Sequence, residues 1–191
     1  MSINPHSAPD NFQAQRLEEV FARCFSRHWR TRLVGGADEP SYQPATDRHA
    51  LHMLYYRSDY FASALHETAH WCIAGEHRRQ LPDFGYWYAP DGRDQQQQLA
   101  FEAVEARPQA LEWLFSLACG YRFRISVDNL GAPGGAPDTG PFRQQVLTAA
   151  RQWQRVGLPQ RADLFFQSLA REFGTGLQLE NLDLDLTGLC G

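Results

Sequence analysis

The chain has 191 residues, 43% hydrophobic and 13% aromatic, which suffices to bury one core and excludes a disordered chain. A net charge of −4 offers no basic face to nucleic acid, and no apolar run reaches the roughly 18 residues of a membrane span. All 18 basic residues are Arg, so every cationic contact is made by a planar fork suited to carboxylates.

The opening MSINPHSAPDNFQ lacks a charged segment leading into an apolar one, so it does not read as a secretory leader. The expectation is one cytoplasmic domain over residues 1–191, with 1–10 and 176–191 the segments expected to be poorly ordered. In NFQAQRLEEVFARCFSRHW, Leu17, Phe21, Cys24, Phe25 and His28 recur at helical spacing, which predicts a helix over about 11–29. RTRLVGG and RHALHMLYYR read as short strands. Ser58 or Asp59 can cap a following helix that Gly75 ends. DFGYWYAPDGRD reads as an aromatic strand and a Pro-Asp-Gly turn. A polar helix is predicted over about 94–106, and Pro108 opens another that stops at Gly120. DNLGAPGGAPDTGP is a loop, followed by helices over 142–156 and about 160–173. The tail LQLENLDLDLTG alternates leucine with polar residues, as an extended edge or a loosely held end would. Cys24, Cys72, Cys119 and Cys190 form no CxxC pair and read as free thiols. The pattern predicts an α+β fold, a predominantly helical domain packed on a small sheet, with a zincin-like HExxH helix.

The chemistry concentrates in ALHETAHWCIAGEHRRQ. His66 and His70 stand four apart and project from one face of a helix, where two imidazoles can share one ion. Leu65, Ala69, Trp71, Cys72 and Ile73 make this helix largely apolar, and buried imidazoles need partners. A third ligand is sought among carboxylates on a helix. Glu102 and Glu105, three apart in FEAVEARPQALEWLF, share a face, so one can ligate while the other orients a histidine. Of the two, Glu102 is slightly favoured as the ligand over Glu105. His77, Asp83, Asp91 and Asp128, in loops, are weaker candidates. Two histidines and a carboxylate permit two chemistries. With zinc, Glu67 would be the general base of a peptidase, and the HExxH spacing favours this reading. With iron(II), the same ligands form a facial triad with open positions. A metal-stabilised binding module is a third reading.

SALHETAHWCIAGEHRRQLPDFGYWYAPDGRDQQQQ, with the following FEAVEARPQALEWLF and DNL, resembles the bacterial elongation factor P hydroxylases, and the likeness runs from about residue 32 to 130. The resemblance implies hydroxylation of a lysine of elongation factor P that has already been lysylated. It also implies a divalent metal, Fe(II) or zinc as isolated, held by His66, His70 and a Glu of the FEAVE segment. The electron donor and the role of Glu67 stay open. Such a substrate presents a long cationic side chain, which carboxylates and aromatic faces attract. Asp83, Tyr86, Tyr88 and Asp91 are therefore candidate substrate contacts, with Trp87 more readily a core residue. Arg78, Arg79 and Arg93 could grip an acidic partner surface.

Overall fold

The fold places three strands beside five helices among residues 11–85, 93–126 and 139–189, the parts described by the computed structural model. Helix α1 (Ala14–Phe25) sends Leu17, Val20, Phe21 and Phe25 into the core at the spacing of one helical face. Strand β1 (Thr31–Ala37) follows, then β2 (Ser41–Gln43) and β3 (His52–Arg57). The central strand β3 pairs with β1 in parallel and with β2 antiparallel. The three residues of β2, between Pro40 and Pro44, are too short a run to be legible as a strand. The β1–β3 register shifts between Val34 and Ala37. Glycine is required there: a Cβ on Gly35 would stand 2.6 Å from the Tyr56 hydroxyl and 2.8 Å from the Ser58 carbonyl. The Glu18 carboxylate accepts from both Gly35 N–H (2.9 Å) and the Tyr56 hydroxyl (2.8 Å), which staples α1 to the sheet.

Helix α2 (Phe61–Ile73) begins a few residues after β3. Neither Ser58 nor Asp59 caps it; Tyr60 holds the cap position without a side-chain bond, and Ser63 Oγ accepts from the Arg57 amide instead. At the other end Arg161 donates to the carbonyls of Trp71, Cys72 and Ala74, and its guanidinium lies over the Trp71 ring. A cation at a helix C-terminus satisfies carbonyls that have no partner within the helix.

Helix α3 (Gln95–Cys119) is one continuous helix, not two. Asp94 and Gln97 close a capping box at its start, and Gly120 ends it in the left-handed conformation (φ 68°). Pro108 lies inside it rather than opening a new helix. Proline removes one helical hydrogen bond, here to the carbonyl of Val104, an exposed residue where water can take the place of the lost donor. Packing overrides the local signal: Ala110, Leu111, Trp113, Leu114, Phe115 and Ala118 are all buried just beyond the proline. Asp83 and Phe84 adopt positive φ (47° and 58°) in a 3-10 turn, so the predicted strand does not start there; the rest of that segment, residues 86–92, lies outside the described residues. Helices α4 (Gly140–Val156) and α5 (Gln160–Glu172) pack on α3. The tail packs on α4 through two 3-10 turns, with Arg151 donating twice to the Leu184 carbonyl and Leu189 buried. Cys24, Cys72 and Cys119 are free thiols.

Candidate metal centre

His66 and His70 point the same way from α2, and their Nε2 atoms are 3.1 Å apart. Glu105, from α3, closes the triangle: Oε1 is 3.3 Å from His70 Nε2 and Oε2 is 3.5 Å from His66 Nε2. Atoms bound about 2.1 Å from one ion stand about 3.0 Å apart at octahedral angles and about 3.4 Å apart at tetrahedral ones. The separations, those to Glu105 involving one carboxylate oxygen each, lie close to that range, so the three side chains could hold one divalent ion. The side chains of His66 and His70 keep 25% and 11% of their exposure while Glu105 keeps 3%, so the donors sit at the floor of a site reachable from outside. Among the described residues this is the group of His, Cys, Asp and Glu side chains that can hold a metal.

The site carries excess negative charge. Burial holds the carboxyls of Glu67 and Glu112 above the usual range, and Glu105 adds to the shift of each. Burial alone would depress His66, but the hydrogen bond and charge of Glu112, with Glu105 and Glu67, push it up to about 10. These carboxylates thus hold a proton where a cation is wanted, and a divalent ion would displace it.

Glu105 belongs to a longer pattern. Gln98, Glu102, Glu105, Gln109, Glu112 and Ser116 recur every three or four residues along one face of α3, and all are buried. The stripe divides its work. Glu102, one turn before Glu105, accepts from Gln98 Nε2 (3.0 Å), and Gln98 Oε1 accepts from Arg93 Nε (3.1 Å). The Arg93 guanidinium lies 3.9 Å over the Phe101 ring. Gln109 bonds both backbone groups of Ser126 (2.6 and 3.1 Å). Glu112 Oε2 meets His66 Nδ1 at 2.8 Å, a contact that sequence reasoning missed. Its signal was present: Glu105 and Glu112 are seven apart, two turns on one face, but only if the helix runs unbroken through Pro108.

The remaining predicted residues lie elsewhere. Arg79 donates to the Ala74 carbonyl (2.8 Å), Arg78 to the Phe84 carbonyl (3.1 Å), and Asp83 accepts from the Tyr42 amide (2.7 Å). These bonds shape the loop that leaves α2. Tyr86, Trp87, Tyr88 and Asp91 lie outside the described residues, as do Asp128 and Cys190.

The family described as elongation factor P hydroxylase matches residues 20–183. The elongation factor P lysine hydroxylase of Haemophilus influenzae is 44% identical over 176 residues, which cover 90% of this chain and 97% of that protein.

Proposed function

Since this chain belongs to the elongation factor P hydroxylase family, we propose that it uses a divalent metal held by His66, His70 and Glu105 to hydroxylate a lysine of elongation factor P. Its activity is that of an oxidoreductase, and neither a peptidase nor a binding module is favoured. The observation that carries the metal reading is the convergence of three side chains from two helices, with His66 Nε2, His70 Nε2 and the Glu105 carboxylate oxygens 3.1–3.5 Å apart. The HExxH helix thus supplies two ligands in the zincin-like manner, and Glu105 supplies the third. Iron(II) would suit this donor set of two histidines and one carboxylate. The bound metal supplies the oxidising power that no side chain has. The balance is one C–H bond and one dioxygen giving C–OH and water, with two electrons from an external reductant and two protons.

The chain's own residues do the rest. Glu67, half-buried beside the imidazoles and held above the usual carboxylate range, can take up or release a proton next to the reacting position. The loop shaped by Arg78, Arg79 and Asp83 leaves the ligand helix directly, and we assign it to contact with the substrate protein, in the cytoplasm where translation occurs; Arg93, buried against Gln98 and Phe101, supports α3 instead. No helix among the described residues is long and apolar enough to cross a membrane.

The test is intact-mass spectrometry of elongation factor P, lysylated and unmodified, incubated with this protein, iron(II), reductant and air. The expected result is a gain of one oxygen atom on the lysylated form alone. The enzyme contains no lysine, so a modified lysine found by peptide mapping belongs to the factor. Cleavage of the factor, or no mass gain with any metal and reductant, overturns the reading.

A further inference from the structure

Glu112 lies on the far side of the His66 ring from the proposed ion. Its Oε2 is 2.8 Å from His66 Nδ1, while His66 Nε2 faces His70 and Glu105. A carboxylate at that distance accepts a hydrogen bond from Nδ1–H, which leaves Nε2 as the nitrogen whose lone pair could go to an ion. The ring is thereby fixed both in tautomer and in orientation. The two histidines differ in this respect. Among the described residues, His70 Nδ1 makes no hydrogen bond, so His66 alone is held from behind. Glu112 is itself 7% exposed, and its position is set by the most buried stretch of α3, beside Leu111, Trp113 and Leu114. A charged group is kept at such a place only if it is paired.

We infer that Glu112 is a positioning residue: it orients His66 and fixes the tautomer in which Nε2 binds the ion, without touching the ion itself. Direct ligation is excluded by the geometry, because the carboxylate occupies the opposite nitrogen of the ring. This role rests on the metal reading of His66, His70 and Glu105 but not on the identity of the substrate.

The test is Co(II) binding to the full chain, measured by competition with a chromophoric chelator and by the cobalt absorption bands. Glu112→Gln keeps an acceptor oxygen and loses the charge; Glu112→Leu loses both. Loss of a group that orients a ligating histidine costs about 10- to 100-fold in affinity. The expected order is wild type, then Glu112→Gln, then Glu112→Leu, with the absorption bands altered in the last. A residue acting through His66 has no further effect once His66 is gone. So Glu112→Gln should leave the residual affinity of His66→Ala unchanged, and should weaken His70→Ala by its full factor. Circular dichroism on each variant separates unfolding from loss of binding. Equal affinity of wild type and Glu112→Leu overturns the inference, and so does an undiminished effect of Glu112→Gln in the His66→Ala background. A wild-type chain that binds no cobalt overturns the metal reading along with it.

Discussion

Helices α2 and α3 each carry two faces with opposite logic. On one side His66, Glu67 and His70 meet Glu105 and Glu112, and nearly every contact is between charged or polar atoms. On the other side Trp71 of α2 and Phe115 of α3 join Phe21, Phe25 and Phe165 in an aromatic cluster, with ring centroids mostly 4.7–6.1 Å apart. The aromatic side is held by buried area, spread over many neighbours. The polar side is held by a few atom pairs, each of which costs stability if its cation is missing. The same two helices therefore store stability on one side and carry the proposed metal site on the other. Changes on the first side should act on folding, and changes on the second on metal binding.

The largest effect that can break this division is on activity. His66→Ala, His70→Ala and Glu105→Gln are expected to lose most of their bound metal and all detectable hydroxylation while circular dichroism remains that of a folded chain. Glu102→Gln should retain its metal, because that carboxylate bonds Gln98. Metal analysis of the purified variants decides between the two acids. A stripped Glu102→Gln beside a metal-replete Glu105→Gln would exchange their roles.

Next in size is the aromatic side. Phe165→Ala removes a fully buried ring and should cost about 3–5 kcal/mol, read from urea unfolding. Under native conditions the variant should still bind metal with wild-type affinity. A large loss of affinity without a loss of stability would erase the distinction between the faces.

Arg161 tests the seam between them, since it bonds three carbonyls at the end of the ligand helix and stacks on Trp71. Arg161→Leu should cost about 2 kcal/mol, the scale of hydrogen bonds from a charged donor, and should weaken metal binding as well. An effect on stability alone would show that the α2 terminus is not part of the site's support.

The smallest effect concerns a histidine with no part in the centre. His52 Nδ1 accepts from the Ala45 amide (3.1 Å) and stands 2.8 Å from the Tyr42 hydroxyl. Burial, then Arg30 and Arg79, hold its pKa below the ordinary value, the opposite of His66. The unfolded chain therefore takes up this proton first as pH falls. The stability it contributes is complete above about pH 6.5 and declines from there down to the lower folded value. Urea midpoints at pH 7.5 and 5.5 should differ less in His52→Gln than in wild type. An unchanged difference would remove His52 from the acid sensitivity.

Much of this division was legible in the chain, and the gaps have physical causes. The pair His66 and His70 needed only a four-residue spacing in an apolar stretch. Glu102 and Glu105 are legible as a pair, but the slight preference for Glu102 is corrected: Glu105 meets the imidazoles, and Glu102 bonds Gln98. A spacing of three puts both on one face, and only the depth at which α3 docks on α2 tells them apart. Glu112 was lost because Pro108 was expected to open a second helix, which placed it on a separate element from Glu105. Proline signals a break by what it does to the local backbone, and the burial around Trp113 and Phe115 outweighs that preference. The short β2 and the left-handed turn at Asp83 and Phe84 are set by tertiary contacts that local patterning does not carry, such as the stack of Tyr42 on Phe84.

The third donor also imposes an order in time. His66 and His70 are brought together by one turn of a single helix, whereas Glu105 reaches them only when a distant segment has docked. The nascent chain thus offers at most two nitrogens, a weak and unselective chelate, until α3 is in place. On the proposed ligand set the complete site forms only once α3 has docked, and metal uptake followed during refolding would then report that docking.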